Sequence, residues 1–276
     1  MRRVRADLHI HTALSPCASE EMVPTAIVKE ALSKGLAMIA VCDHNAAGNV
    51  EAVMSAASMA AAASKSTGAE VKKELMVIAG MEITTAEEVH VLGFFPSADA
   101  AAAAAAEVLD TLATLATLET IPRVESEAGG QLLFDGEGRI IGREERMLFS
   151  ASKHSLAQTV ALIRRNGGLA VASHVDRPSF SVLSQLGVFP EDVVFDALEI
   201  SGVGVRAGRH RGFLSIGLPL VSSSDSHYLE DIGGGYTLLD IDQPAEWGSP
   251  SEKRKSPFEE LRLALRGDEG RRCSLA

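Results

Sequence analysis

Asp7-Leu8-His9-Ile10-His11-Thr12 sets three metal-competent side chains at a strict period of two. Residues two apart on a β-strand share a face, so the spacing predicts a strand with Asp7, His9 and His11 on one side and Leu8 and Ile10 on the other. Two neutral imidazoles with a carboxylate suit borderline divalent metals such as Zn, Mn or Fe(II), and ligands rooted on a strand are held more rigidly than ligands on a loop. Taken alone, His-x-His is equally compatible with two half-buried histidines in ordinary hydrogen bonds. The placement of the remaining histidines decides between these readings.

Leu36-Ala37-Met38-Ile39-Ala40-Val41 has the composition of a buried strand and ends in Cys42-Asp43-His44-Asn45. Leu75 to Gly80 delivers Met81-Glu82, and the run from Val89 to Phe95 carries His90 near its start. Leu169-Ala170-Val171-Ala172 opens into Ser173-His174-Val175-Asp176-Arg177-Pro178, and Leu218-Pro219-Leu220-Val221 runs into Ser222-Ser223-Ser224-Asp225-Ser226-His227. Apolar runs that repeatedly meet His, Asp or Glu at a polar turn are the layout of an α/β protein with its chemistry at the strand ends. The pattern predicts a multinuclear metal site.

At 276 residues and 46% hydrophobic, the chain can bury the core of one α/β-barrel domain. Alternation of short apolar strands with helical stretches places it in that class. A formal charge of −11 argues against a general nucleic-acid-coating or anionic-membrane surface, so any pull on a phosphate has to be local. Aromatic residues make up only 4%, which leaves few stacking platforms for an extended strand of nucleic acid. Cys17, Cys42 and Cys273 have no paired spacing, which makes a disulfide framework unexpected and points to a reducing cytoplasm. Arg2, Arg3 and Arg5 are followed by no apolar segment of the secretory type, so no secretion signal is expected. The most apolar long segment, Ala98 to Leu118, contains Asp99, Glu107 and Asp110 and is too polar to span a bilayer.

That segment instead predicts an alanine-rich helix whose Leu109, Leu112, Leu115 and Leu118 form a stripe against the barrel. A second alanine-rich helix is predicted from Val50 to Ser64, and neither is expected to carry chemistry. Pro24 opens a helix that closes near Gly35. Leu132-Leu133-Phe134 and Ile140-Ile141 flank Asp135-Gly136-Glu137-Gly138 as a β-hairpin. It belongs to a piece from Ile121 to Phe149 that interrupts the strand-helix rhythm and is either a cover for the pocket or an edge hairpin. The main domain is expected over residues 1–245, with 121–149 as an insertion. Residues 246–276 are expected to hold a loose polar stretch, a short helix near Pro257 to Leu265 and disordered last residues.

His-x-His on the first strand, Asp43-His44 on the second, Glu82 after the third, then His90, His174 and a closing Asp225-x-His227 form a set that resembles the PHP superfamily. These are polymerase and histidinol-phosphatase type metal-dependent phosphoesterases, and the resemblance spans about Arg3 to Leu239. It implies a distorted (β/α)7 TIM-like barrel with two to three divalent metal ions, Zn, Mn or Fe, at the C-terminal ends of the strands. It further implies three overlapping ligand groups. His9, His11, Glu82 and Asp225 would surround one ion, with Glu82 bridging to a second that also takes His90 and His174. The third would be held by His44, His227 and the residue six beyond His11, which here is Cys17 where family members usually carry a histidine or an aspartate. A thiolate there suits Zn or Fe and weakens a preference for Mn or Mg. On the other reading, Cys17 is a small buried residue after Pro16 and the third position is weak or empty.

Asp7 and Asp43 are assigned as carboxylates that orient imidazoles, because a ligating histidine needs its second nitrogen hydrogen-bonded. Glu199, on Ala197-Leu198-Glu199-Ile200, either does the same or forms an ion pair inside the barrel. Arg177, on the loop after His174, is placed to grip a phosphate oxygen or else anchors its loop. His154 and His210 stand in helical contexts and are left outside the site.

Clustered divalent ions suit phosphate-ester hydrolysis, since a pair converts a bridging water to hydroxide near neutral pH and neutralises charge on the phosphoryl oxygens. The expected function is a metal-dependent phosphomonoesterase acting on a small phosphorylated metabolite or nucleotide, with no membrane partner and no extended nucleic-acid binding. A phosphodiesterase or exonuclease on nucleic-acid ends is the alternative. A non-catalytic metal-binding PHP module is a third reading, against which the full ligand set speaks. An amidohydrolase-like barrel also begins with His-x-His but normally has a bridging lysine where Glu82 stands. A Ser-His-Asp hydrolase is disfavoured, because Asp225 and His227 are already assigned to metal.

Overall fold

In the computed structural model, which describes residues 1–66, 74–114, 130–242 and 255–276, the apolar runs become strands. They are β1 (Arg2–Ile10), β2 (Met38–Val41), β3 (Met76–Thr84), β4 (His90–Phe95), β5 (Leu132–Phe134) and β6 (Ile140–Arg143). There follow β7 (Leu169–Ala172), β8 (Ala197–Ser201), β9 (Leu220–Ser223), β10 (Thr237–Ile241) and β11 (Arg272–Leu275). The helices are α1 (Pro24–Ser33), α2 (Val50–Ser66), α3 (Ala98–Leu109), α4 (Leu156–Arg165), α5 (Val182–Leu186), α6 (Gly202–Arg206) and α7 (Pro257–Arg266).

Nine strands form one sheet in the order β11-β10-β1-β2-β3-β4-β7-β8-β9. Beyond β9, Ser226 pairs with Ile10 in parallel; His11 N donates to Ser226 O at 3.0 Å and Ser226 N to His9 O at 3.3 Å. This contact brings β9 back to β1 at the level of the histidines, so β1, β2, β3, β4, β7, β8 and β9 surround a nearly closed barrel. The α/β barrel of seven strands expected from the sequence is therefore present. β4 is antiparallel to both β3 and β7. Residues 85–89 are too few for a crossover connection, so the chain turns back directly as a hairpin. Consequently His90 enters the site from the start of its strand, opposite Thr84, while Glu82 enters from the end of β3.

Inward-facing Val4, Ala6, Leu8, Met38, Ala40, Met76, Ile78, Leu92, Phe94, Leu169 and Val171 form one buried cluster within the barrel. Ile10, Ile39 and Val41 face the other way and pack in a second cluster with apolar residues of α1, α2, α3 and α4. Two packed layers on the sheet are what the near-continuous apolar strands require.

Strict alternation along β1 fails at one point. Asp7 pairs with Ile39 and Ile10 with Val41, so three steps on β1 match two on β2. This bulge puts Asp7 and Ile10 on the same outer face and turns both Leu8 and His9 inward. His9 and His11 share the expected face. Asp7 does not, because the extra residue reverses the phase between it and the histidines.

The last residues, expected to be disordered, form β11, antiparallel to β10 from Thr237↔Leu275 to Asp240↔Arg272. Pairing satisfies their backbone groups, and a buried Arg271–Glu260 ion pair at 2.9 Å ties this end to α7. Ser256 caps α7 by accepting from Glu259 N, and Gly267 ends it in the left-handed region. Phe258, Leu261, Ala264 and Leu265 of α7 join the interior cluster and close the barrel at the end away from the histidines. The polar stretch over 248–254 lies outside the described residues.

α3 stops at Leu109, short of the predicted Leu118. Thr111 Oγ1 donates to Val108 O at 2.7 Å, competing with a further turn, and Arg146 Nη1 donates to Leu109 O at 2.8 Å and Leu112 O at 3.1 Å. Leu112 is buried beside Leu14, Ala46 and Leu148, while Leu115 and Leu118 lie outside the described residues, as do 121–129 of the insertion. The β5–β6 hairpin is strapped to segments next to the histidines. Leu132 N donates to Ala13 O at 2.8 Å, and the Asn45 amide donates to Leu148 O at 2.8 Å and Ser150 O at 2.9 Å. Among the described residues, no helix is long and apolar enough to cross a membrane.

Because Leu261 is fully buried in the interior cluster, Leu261→Ala should lower unfolding free energy by about 2–5 kcal/mol. Exposed Leu214→Ala should stay within about 0.5 kcal/mol, with denaturant unfolding as the measure of both.

Candidate metal centre

Glu82 occupies the middle of the cluster, carried inward by the end of β3. Its two oxygens face different sets of imidazoles. Oε2 lies 3.3 Å from His9 Nε2, 3.5 Å from His11 Nε2 and 3.2 Å from His44 Nδ1. Oε1 lies 3.1 Å from His90 Nδ1 and 3.3 Å from His174 Nε2, and accepts from Ser173 Oγ at 2.8 Å. Asp225 Oδ1 stands 3.3 Å from His9 Nε2 and 3.0 Å from His11 Nε2. Three sets converge closely enough to hold cations: His9, His11, Glu82 and Asp225; His44, Glu82 and His90; and His11, His44 and His227.

The polar atoms at this centre are not satisfied by one another. Glu82 Oε2 is buried without a hydrogen bond although imidazole nitrogens surround it, and His90 Nδ1, which faces Glu82 Oε1, is likewise buried and unpaired. His9 Nε2 and His11 Nε2 confront each other at 3.1 Å, which requires a proton between two atoms that also converge on carboxylate oxygens. Unpaired buried groups of this kind are costly. Lone pairs aimed at common points in a nitrogen-rich set with carboxylates fit divalent cations of the borderline class.

Electrostatics favour the ligating form of Glu82, Asp225, His11 and His44 and the protonated form of His9. Burial would lift the carboxyl of Glu82, but the imidazoles of His90 and His9 hold it well below the ordinary range. Asp225 is likewise held low against burial by His9 and His11. Burial and His227 push His11 down to about 3, and burial and His11 depress His44, so both keep the neutral form a metal requires. Burial works against protonation of His9 too, but Glu199, Glu82 and Asp225 outweigh it and raise its pKa.

The rings of His9 and His11 are oriented from behind. His9 Nδ1 pairs with Glu199 at 3.1 Å, a contact that turns Nε2 of His9 toward the centre and is at the same time a buried ion pair. His11 Nδ1 pairs with Ser15 Oγ at 2.9 Å, and Ser15 in turn donates to Asp43 Oδ1 at 2.7 Å. Asp43 therefore reaches an imidazole through a serine, while also accepting from Thr12 N at 2.7 Å and Thr12 Oγ1 at 2.8 Å. Asp7, expected to orient an imidazole, instead accepts from Ser224 N at 3.0 Å and Gly233 N at 2.8 Å. From the outer face of β1 it fixes the loop that carries Asp225 and His227. Ser15 and Ser173 escaped the sequence reading because an isolated serine beside a candidate ligand has no spacing signal.

Cys17 belongs to none of the three sets. It is exposed, and desolvation of the thiol with carboxylates nearby pushes its pKa up to about 12. The third set is completed by His11 rather than by the thiol. His174 meets Glu82 as expected and is not a member of the three sets. Arg177 stands at the site, half-exposed, with Nη1 on Asp225 Oδ2 at 2.5 Å. His174 and Asp225 have φ of 25° and 53° respectively, unusual for residues with side chains and maintained here by the surrounding hydrogen bonds.

The PHP domain family matches residues 7–181, and the PHP-associated family matches residues 214–248. No protein of curated function matches the sequence. Among solved structures, the chain is similar to the lesion-specific endonuclease PfuEndoQ from Pyrococcus furiosus, with TM-score 0.59, 17% identity and coverage of 99% of this chain and 58% of that one. It is similar to Endonuclease Q bound to a 27-mer duplex substrate with an abasic lesion at the active site, with TM-score 0.59, 16% identity and coverage of 98% and 58%. It also resembles an amidohydrolase from Chromobacterium violaceum, with TM-score 0.53, 22% identity and coverage of 83% and 89%. The chain thus spans about 58% of the length of the endonucleases, and identities at this level establish a common fold.

Glu82→Gln should remove more than one equivalent of metal at once, since its oxygens serve separate sets. Glu199→Gln should weaken metal affinity about 10- to 100-fold by releasing His9. Cys17→Ser should leave metal content unchanged. Elemental mass spectrometry and competition with a chelator read all three.

Proposed function

From the premise that the chain belongs to the PHP domain family, we propose that it is a hydrolase that cleaves phosphoesters with the help of bound divalent cations. The observation that carries this reading is Glu82, whose oxygens face His9, His11 and His44 on one side and His90 and His174 on the other. A carboxylate so placed would serve two cation positions, an arrangement suited to displacement at phosphorus. His9, His11, Glu82 and Asp225 would hold one ion; His44, Glu82 and His90, with His174 alongside, a second; His11, His44 and His227 a third. The nitrogen-rich set favours Zn, Mn or Fe over Mg or Ca. Bound there, such ions supply Lewis acidity toward phosphoryl oxygens and toward water.

The chain's own residues supply position. Glu199 and the Ser15–Asp43 pair hold the imidazoles of His9 and His11 in one orientation, so the centre does not reorganise as charge develops. Arg177 uses one nitrogen on Asp225 and keeps further N–H donors at the half-exposed face of its guanidinium, where they suit a non-bridging phosphoryl oxygen. A phosphomonoester of a small metabolite or nucleotide is the first substrate class. A diester at a nucleic-acid end is the second, favoured by the likeness in fold to an endonuclease that binds an abasic duplex and by exposed Arg209, which joins Asp176 beside Arg177.

Chelated protein should lose activity and regain it with Mn, Zn or Fe(II), assayed on phosphomonoesters and one phosphodiester. Arg177→Ala should raise KM about 10- to 100-fold through lost charge-assisted hydrogen bonds. Failure of metal-loaded protein to cleave either class of ester would overturn the reading.

A further inference from the structure

The metal centre has a floor and a mouth. The side chains of His9 and His11 are fully enclosed, whereas those of His90, His44 and His227 are 11%, 12% and 21% exposed. These three rings adjoin one another, with His44 5.2 Å from His90 and 6.0 Å from His227 between ring centroids. Any substrate enters past them.

One of these mouth histidines carries an exposed aromatic ring, and the chain segments of the other two include exposed aromatic residues. The ring of Phe180 stacks on His90 at 4.6 Å with an interplanar angle of 19°, and His90 N donates to Phe180 O at 2.8 Å. Tyr228 directly follows His227. Phe149 lies between Leu148 and Ser150, whose carbonyls accept from Asn45, the residue after His44. Among the described residues, Phe149, Phe180 and Tyr228 are the aromatic side chains classed as exposed. Scattered surface aromatics need no explanation, but here every one belongs to a segment attached to the mouth. Phe180 also holds φ of 56°, an unfavourable conformation for a bulky residue, with 41% of the residue exposed beyond its contact with His90. Neither feature favours folding.

We propose that Phe180 forms a stacking rim that selects phosphoesters whose leaving group carries a nucleobase. The inference rests on the phosphoesterase reading above and specifies its substrate. A planar base has a π-face for the rim, and its phosphate would reach the centre beside Arg177. An aliphatic sugar phosphate offers the same phosphate but nothing to stack. The requirement is met by a free nucleotide or by a strand end.

The test compares adenosine 5′-monophosphate with ribose 5-phosphate, which differ by the base, and adds a short single-stranded oligonucleotide with a terminal phosphate. For metal-loaded wild type, the ratio of kcat/KM between the first two should be on the order of tenfold or more, a contribution in the range of one stacked base. Phe180→Ala should bring that ratio close to one, and Phe180→Trp should retain it. The oligonucleotide distinguishes the sources: cleavage in preference to the mononucleotide assigns the rim to strand ends, and the reverse assigns it to free nucleotides. Hydrolysis of both small esters at equal kcat/KM by wild type would overturn the rim while leaving the phosphoesterase reading intact. If no ester is hydrolysed, calorimetric titration of the same two compounds decides the rim separately. Tighter binding of the nucleotide, lost in Phe180→Ala and kept in Phe180→Trp, supports it, and equal binding overturns it.

Discussion

One extra residue in β1 underlies the arrangement of the metal centre. Were the strand regular between Asp7 and Ile10, the phase that keeps Val4, Ala6 and Leu8 inside would send His9 and His11 outward. The bulge lets an apolar barrel interior and an imidazole pair occupy consecutive inward positions. It also leaves Asp7 on the outer face, where two backbone N–H groups hold it and fix the loop bearing Asp225 and His227. A single irregularity thus determines the direction of two candidate ligands and steadies two more.

Glu82 and His90 depend on a second irregularity. The antiparallel β4 lies within an otherwise parallel run, and the short connection behind it sets its ligand against the carboxylate at the end of β3. Around Glu82 the protein has concentrated buried acidic groups and imidazoles whose mutual hydrogen bonds are incomplete. Such a centre is expensive for the apoprotein, and cation binding is the natural compensation.

Much of this was legible in the sequence because the relevant signals are periodic. Apolar runs that meet His, Asp or Glu at a turn identified the strands and the residues they bring together, and the seven-stranded barrel followed from the family resemblance that this set of residues carries. The role of Asp7 was not legible, since a bulge leaves the alternating pattern of the sequence untouched while reversing which face it occupies. For Cys17, distance along the chain from His11 does not specify which way a loop side chain turns. Ser15 and Ser173 act through hydrogen bonds that leave no spacing to read. The strand at Arg272–Leu275 was missed because its stability comes from the neighbour it pairs with.

The same topology has a kinetic consequence. Arg2 pairs with Ile241, and the candidate ligands run from His9 to His227, so the centre draws on elements far apart along the chain. Pairings of this separation carry a large loop-closure cost before they are rewarded, which slows folding. A cation binding the finished cage therefore acts mainly on the native state. It would slow unfolding and prolong the lifetime of the folded barrel far more than it would accelerate the search that assembles it.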